Sequence, residues 1–335
     1  MTAPGDVLLR VRDLSVSFDT PRGRVRAVDG VSWQVRAGET LAVLGESGSG
    51  KTVAVQAVTG ILEMPPGLIE GGTAEYRGQD LLAMDVRQRR RVVGDRITMV
   101  FQDSLSALNP VRTVGRQIAE CYEVHRGTSR HEAMELAAQM LDRVRIPAAR
   151  QRLRDYPHEF SGGMRQRVML AMALALDPDV LIADEPTTAL DVTVQAQILE
   201  LIADLQAERH MGVVLITHDV GVVADVADSV VVMYASHVVE VGATRDVLDN
   251  PVHPYTEGLL ASTPSAELKG RELPAIRGTP PSLFSMPSGC AFRTRCPLAV
   301  DDCARAVPPL VPVAAGREAA CFRRTRAESA PGVAA

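Results

Sequence analysis

An apolar run, Leu41-Ala42-Val43-Leu44, leads directly into Gly45-Glu46-Ser47-Gly48-Ser49-Gly50-Lys51-Thr52. This Gly-x-x-x-x-Gly-Lys-Thr order constrains the chain most, because it demands a buried strand, a tight loop and a helix in that succession. Gly45, Ser47, Gly48 and Gly50 belong to a loop whose backbone N–H groups turn inward around phosphate oxygens. Lys51 reaches the outer phosphates, and Thr52 offers its hydroxyl to Mg²⁺. The helix that follows adds its positive N-terminal end. Lys51 is one of two lysines, the other being Lys269, in a chain with 36 basic residues. A compact ammonium stands where a planar guanidinium fits badly. The motif implies a bound nucleoside triphosphate.

The 335 residues allow two domains of ordinary size, and 46% apolar with 23% charged content is that of a globular protein. The longest apolar stretch, Val168 to Leu176, is about half of the ~20 residues that a membrane helix needs. No basic segment followed by an apolar one opens the chain, so no secretory signal is expected and the protein should stay in the cytoplasm. A net charge of −5 offers no basic footprint for nucleic acid.

Leu9, Val11, Val16 and Phe18 alternate with polar residues as in a strand, which turns at Thr20-Pro21-Arg22-Gly23. A strand around 25–35, a buried strand 40–44, a helix over roughly 50–61, a strand near 73–77 after Gly71-Gly72 and a short buried strand 97–101 follow. The pattern is helical from about 113 to 175, with a helix from Thr128 or Ser129 to Val144. Buried strands at 180–183 and 213–216 flank a helix over 194–208. Short apolar strands alternating with helices predict an α/β fold with a largely parallel sheet. Beyond about residue 245 prolines crowd the chain, from Pro251 to Pro312, which argues against a regular layer. The last residues, Arg326 to Ala335, should fray.

Further motifs follow in order. Phe160-Ser161-Gly162-Gly163-Met164-Arg165-Gln166-Arg167 opens a helix with a hydroxyl, bare N–H groups and a helix dipole directed at one anion. Val180 to Ala183 ends in Asp184-Glu185-Pro186, two adjacent carboxylates that point opposite ways from a strand. Thr187-Thr188-Ala189-Leu190-Asp191 comes next, and His218 stands directly after the strand 213–217. Together these resemble the ATP-binding cassette (ABC) ATPases, with Phe160 where leucine is commoner. The resemblance covers about 1–260 and implies an ABC-type P-loop NTPase cassette over 1–245, with a helical subdomain about 105–175 and an extension over 246–335. It also implies site roles. Phe18 stacks on adenine, Asp184 with Thr52 and Gln102 serves Mg²⁺, Glu185 is the general base, and Gln102 and His218 sense the γ-phosphate. Ser161, Gly162, Gly163, Gln166 and Asp191 complete the ATP site of a second cassette subunit. The reaction implied is attack of water on the γ-phosphate, catalysed mainly by positioning and electrostatics.

The stretch Phe101 to Pro110, with Glu185 to Asp191 and Asn250-Pro251-Val252-His253-Pro254-Tyr255, resembles the dipeptide/oligopeptide importer ATPases. That resemblance implies a homologous ATPase partner, two membrane permease subunits that meet residues 101–110, and an extracytoplasmic peptide-binding protein. It implies a peripheral location at the cytoplasmic face of the membrane. Nickel-chelate and opine importers share these features. A soluble cassette acting on nucleic acid or ribosomes is the alternative of another class, though such proteins carry two cassettes or a long coiled-coil insertion.

Four of the five cysteines, Cys290, Cys296, Cys303 and Cys321, fall in the last fifth of the chain. A reducing cytoplasm disfavours disulfides, and the tight Cys pairs of structural zinc are missing. Four thiolates on proline-rich loops suit an iron–sulfur cluster, with zinc or free thiols as alternatives. Some peptide-importer ATPases carry a [4Fe–4S] cluster in a similar extension, and the resemblance implies one here. Cys121 reads as core.

Overall fold

The computed structural model describes residues 5–103, 107–188, 190–263 and 275–324. In chain order, β1 (Val7–Thr20) and β2 (Gly23–Arg36) precede β3 (Thr40–Leu44) and α1 (Lys51–Thr59). Then come β4 (Gly67–Tyr76), β5 (Gln79–Asp80), α2 (Val86–Val92), β6 (Ile97–Val100), α3 (Val114–Arg126), α4 (Arg130–Arg143), α5 (Ala149–Arg152) and α6 (Gly162–Leu174). The rest is β7 (Val180–Asp184), α7 (Val192–Arg209), β8 (Gly212–Thr217), α8 (Val220–Val226), β9 (Ser229–Tyr234), β10 (His237–Ala243), α9 (Thr244–Asp249), α10 (Pro254–Ala261), α11 (Asp302–Arg305), β11 (Val311–Ala314) and β12 (Arg317–Ala319). Two compact units result. One holds residues 1–9, 35–39 and 83–216; the other holds 10–34, 40–82 and 217–335.

In the first unit, β6, β7 and β8 run parallel, with Ile97 opposite Val180 and Val180 opposite Gly212. β7 and β8 are buried along their whole length, as parallel strands with both faces covered must be. Val168, Leu170, Ile198 and Leu201 supply buried helical side chains of this unit. The expected helix starting at Thr128 or Ser129 is α4: the Ser129 hydroxyl accepts from the Glu132 N–H at 3.3 Å, an N-cap that satisfies an end-of-helix donor.

In the second unit, β3 pairs parallel with β9, Val43 opposite Val231, and β9 turns back into antiparallel β10. A separate sheet has the order β2-β1-β4-β5. β4 begins at Gly67, earlier than the sequence pattern suggests, because Gly71-Gly72 lies within the strand and does not open it. Gly72 has φ +99°, and a Cβ there would stand 2.6 Å from the Leu14 Cα. Only a bare backbone can approach that closely.

The proline-rich tail departs from the irregular segment expected. β12 joins β10 antiparallel, with Glu240 opposite Ala319, and β11 pairs with β12 at the edge. Pro312 is tolerated because β11 is an edge strand. Arg317 Nη2 donates to the fully buried Glu240 carboxylate at 2.8 Å, which also accepts the N–H groups of Val252 and His253 at 2.9 Å each. With that many donors a buried carboxylate is compensated, and removing Arg317 alone would cost about 3–5 kcal/mol. Tyr234, Tyr255, Phe292 and Val247 extend the same core. The Tyr234 and Phe292 rings meet edge-on with centroids 5.2 Å apart, a geometry that contributes about 0.5–1.5 kcal/mol beyond area burial.

His253 caps α10, its Nδ1 accepting from the Tyr255 N–H at 3.0 Å. Burial pushes its pKa down to about 3, aided by Arg324. The imidazole of the unfolded chain protonates near pH 6.5, so below that pH the unfolded state binds a proton that the folded state refuses. The contribution of neutral His253 is whole above that pH and declines as pH falls. Urea denaturation should report a loss of about 2 kcal/mol between pH 7 and pH 5 from this group. His253→Gln, which can still accept the Tyr255 N–H, should remove about that much of the pH dependence; an unchanged slope would sink the assignment.

Candidate functional site

β3 feeds the phosphate loop from its carboxyl end, the side of a parallel sheet where ligands bind. The loop's glycines are demanded by backbone contacts. A Cβ on Gly45 would collide with the Met233 carbonyl oxygen, and one on Gly50, whose φ is +103°, with the Ala27 carbonyl oxygen. Gly48 is also left-handed, at φ +79°. Lys51 is 5% exposed; its Nζ donates to the Gly45 carbonyl at 2.7 Å and the Glu46 carbonyl at 3.0 Å. Such partners are what allow an ammonium to be buried. Ser47 is exposed and Thr52 half-buried. Ser49 is buried, and its Oγ has no hydrogen-bond partner among the described residues. Nothing in the motif singled out Ser49, which stands at an unspecified position.

The same unit holds Phe18, half-buried on β1, and His218, exposed just after β8. His218 is oriented by a turn. Asp219 donates its N–H to the Thr217 hydroxyl at 3.0 Å, while its carboxylate caps α8 through Gly221 at 2.8 Å.

The first unit carries the remaining site residues. Asp184 is 2% exposed at the end of β7. Glu185 follows at φ +46°, a left-handed conformation that costs a non-glycine residue about 1–3 kcal/mol and is held by its N–H bond to the Ile216 carbonyl at 2.9 Å. Its Oε2 accepts from Gln102 Nε2 at 2.8 Å and from the Thr188 hydroxyl at 2.9 Å. Two donors on one oxygen hold the carboxylate as an oriented acceptor. Gln102 and Glu185, 83 residues apart in sequence, are thus direct partners.

Ser161 is the N-cap of α6, accepting from the Met164 N–H at 3.3 Å. A Cβ on Gly163 would sit 2.5 Å from Val194 Cγ1, while Gly162 is less crowded. Asp191 caps α7 by accepting from the Val194 N–H at 2.9 Å. One glycine therefore brings the Ser161 and Asp191 segments together. Gln166 is buried with its Nε2 lacking a partner among the described residues. Phe160, in place of the commoner leucine, is buried under the Arg152 guanidinium, 5.4 Å from its ring centroid. Ser104 to Ser106 and Ala189, within the expected contact stretches, lie outside the described residues, as do Arg326 to Ala335.

The iron–sulfur expectation is corrected. Cys290, Cys296, Cys303 and Cys321 line one small cavity. Among the described residues, however, no group of three or more Cys, His, Asp or Glu side chains is arranged to hold a metal ion. The cavity measures about 10 Å³, about the space of one water and far from that of a cluster. Cys303 and Cys321 are buried, and burial pushes the Cys290 thiol up to about 11 and the Cys296 thiol upward. None of the four is in a disulfide, and Cys290 and Cys296 pack against the core that contains Phe292.

The loop geometry is testable without any partner. Gly50→Ala combines a left-handed backbone with a collision against Ala27 and should cost about 2 kcal/mol or more in denaturation, with loss of nucleotide binding by the full chain. A variant as stable as the parent that still binds nucleotide would contradict the geometry.

A family profile described as "ABC transporter" matches residues 28–188, and one described as "Oligopeptide/dipeptide transporter, C-terminal region" matches 239–303. The oligopeptide transport ATP-binding protein OppD of Salmonella typhimurium is 49% identical over 320 residues, 96% of this chain and 95% of that one. The dipeptide transport ATP-binding protein DppD of Bacillus subtilis is 49% identical over 301 residues, 90% of each. Among solved structures, the dimeric bacterial ABC transporter cassette MJ0796 aligns with a TM-score of 0.63 at 24% identity, over 71% of this chain and 99% of its own, a likeness of fold. The cbiO1 subunit of the Clostridium perfringens complex cbiONQ aligns with a TM-score of 0.61 at 26% identity, over 73% and 92%. The phosphate loop, the ordered motifs and near-full-length identity of about one half agree, and this chain belongs to the ABC transporter family, in its branch of oligopeptide/dipeptide ATP-binding subunits.

Proposed function

We propose that this chain is the ATPase subunit that powers import of dipeptides or oligopeptides through a membrane ABC transporter. The observation that carries the chemistry is the Glu185 carboxylate, held by Gln102 and Thr188 at 2.8 and 2.9 Å at the end of a buried strand. An ionised carboxylate steered by two neutral donors is suited to orient and deprotonate a water molecule. The glycines Gly45, Gly48 and Gly50, with Ser47, cradle the phosphates, Lys51 neutralises their outer charge, and Phe18 stacks on the adenine. His218 and Gln102 steady the γ-phosphate. The hydroxyl of Thr52, the amide oxygen of Gln102 and the carboxylate of Asp184 are hard oxygen donors of the kind Mg²⁺ prefers. The ion would supply electrostatic stabilisation of the charge that spreads over the phosphate oxygens.

Ser161, Gly162, Gly163, Gln166 and Asp191 serve the nucleotide of a second, homologous ATPase subunit, so each ATP is shared between two cassettes. No helix among the described residues is long and apolar enough to cross a membrane, which is consistent with a subunit at the cytoplasmic face working with two separate permease subunits and an extracytoplasmic peptide-binding protein. In this reading residues 1–245 form the nucleotide-binding domain, with a helical subdomain at about 105–175, and 246–335 form the peptide-importer extension.

Glu185→Gln should lower ATP turnover by roughly 100-fold or more while leaving ATP binding intact, since general-base catalysis contributes about 10²–10⁴-fold. Unchanged turnover would remove Glu185 from that role. In the complex rebuilt with its membrane subunits, a peptide-loaded binding protein should stimulate turnover. Intact basal turnover that no peptide stimulates would exclude the substrate class.

A further inference from the structure

Glu46 fills an unspecified position of the phosphate-loop motif, yet its polar groups are held from two sides. Its carbonyl accepts from Lys51 Nζ at 3.0 Å and from the Ser49 N–H at 3.2 Å. Its own N–H donates to the Tyr255 hydroxyl at 2.9 Å, and its carboxylate accepts from Arg295 Nη1 at 2.8 Å. The first pair of partners belongs to the loop. The second comes from residues 209 and 249 positions later.

Arg295 is fixed as few arginines are. Its side chain is 5% exposed, its Nε donates to the Arg277 carbonyl at 3.1 Å, and its Nη1 also reaches the Tyr234 hydroxyl at 3.3 Å. The guanidinium carbon lies 5.8 Å from the Tyr234 ring centroid and 6.0 Å from that of Phe292. The Tyr234 and Tyr255 rings pack with centroids 4.6 Å apart. Such a sheltered pair escapes most salt screening, and a planar fork held at several nitrogens keeps its direction.

We propose that Arg295 is a positioning residue for nucleotide binding: with Tyr255 it clamps Glu46, so that the C-terminal region sets the shape of the phosphate loop. It acts through Glu46 without touching nucleotide. Because the Glu46 carbonyl is an acceptor of the Lys51 ammonium, displacing Glu46 displaces the resting place of the ammonium that grips the outer phosphates. The extension is then part of the nucleotide-binding apparatus and more than an appended segment.

The inference rests on the reading that residues 45–52 hold ATP, and Lys51→Ala separates the two. A fluorescent ATP analogue with Mg²⁺ is titrated into the full chain and its variants, with denaturation measured in parallel. Arg295→Leu and Glu46→Gln should each weaken binding about tenfold, the scale of one charge-assisted hydrogen bond. The double variant should bind no more weakly than either single one, and Arg295→Lys should recover part of the loss. Arg324→Ala breaks a different ion pair of the same region, with Glu257, and should bind like the parent. Should Arg295→Leu fold poorly, Arg295→Lys and Glu46→Gln decide. Undiminished binding in Lys51→Ala overturns the reading of the loop. Binding lost in Lys51→Ala but within about twofold of the parent in the Arg295 and Glu46 variants overturns this inference alone. So does an equal loss in Arg324→Ala.

Discussion

The buried ammonium of Lys51, resting on the carbonyls of Gly45 and Glu46, is the interaction on which the second unit is organised. A charge taken out of water must be matched by acceptors at fixed positions, so the loop cannot relax without exposing or abandoning it. That requirement reaches outward. The loop passes hard against the Met233 and Ala27 carbonyls, which leaves no space for side chains at Gly45 and Gly50. Met233 is in turn set by the pairing of β9 with β10, and β9 by its parallel register with β3.

The C-terminal region is bound to the same unit by buried charge as much as by apolar packing. Glu240, fully buried, gathers Arg317, Val252 and His253. A buried carboxylate left without its cation is costly, and Arg317 reaches Glu240 from β12, which lies beside β10. The aromatic cluster of Tyr234, Tyr255 and Phe292 then brings Arg295 to Glu46. Packing of the tail and geometry of the nucleotide loop are one problem in this chain.

Particular residues show where sequence reasoning succeeded and where it ran short. Strands β3, β7 and β8 were legible because strands buried on both faces leave near-continuous apolar runs. The phosphate loop and the Ser161 cap were legible because they are local motifs. The tail was read as irregular because prolines argue against a layer, yet Pro312 sits on an edge strand where its missing N–H is harmless. The cysteine spacing suggested a cluster, but spacing says nothing of how side chains stand in space, and among the described residues they form no metal-holding group and line a cavity of only about 10 Å³. Glu46 and Ser49 passed unnoticed because a motif's variable positions carry no signal of their own.

The sequence by itself determined the chemistry: an ATP loop, its ordered companion motifs and an α/β cassette follow from short-range patterns of glycine, charge and apolar periodicity. Only the tertiary structure decided which distant groups hold that chemistry in shape. The contacts of Glu185 with Gln102 and of Glu46 with Arg295 span 83 and 249 residues. Contacts of that range are set by how strands pair and cores pack, and no local pattern records them.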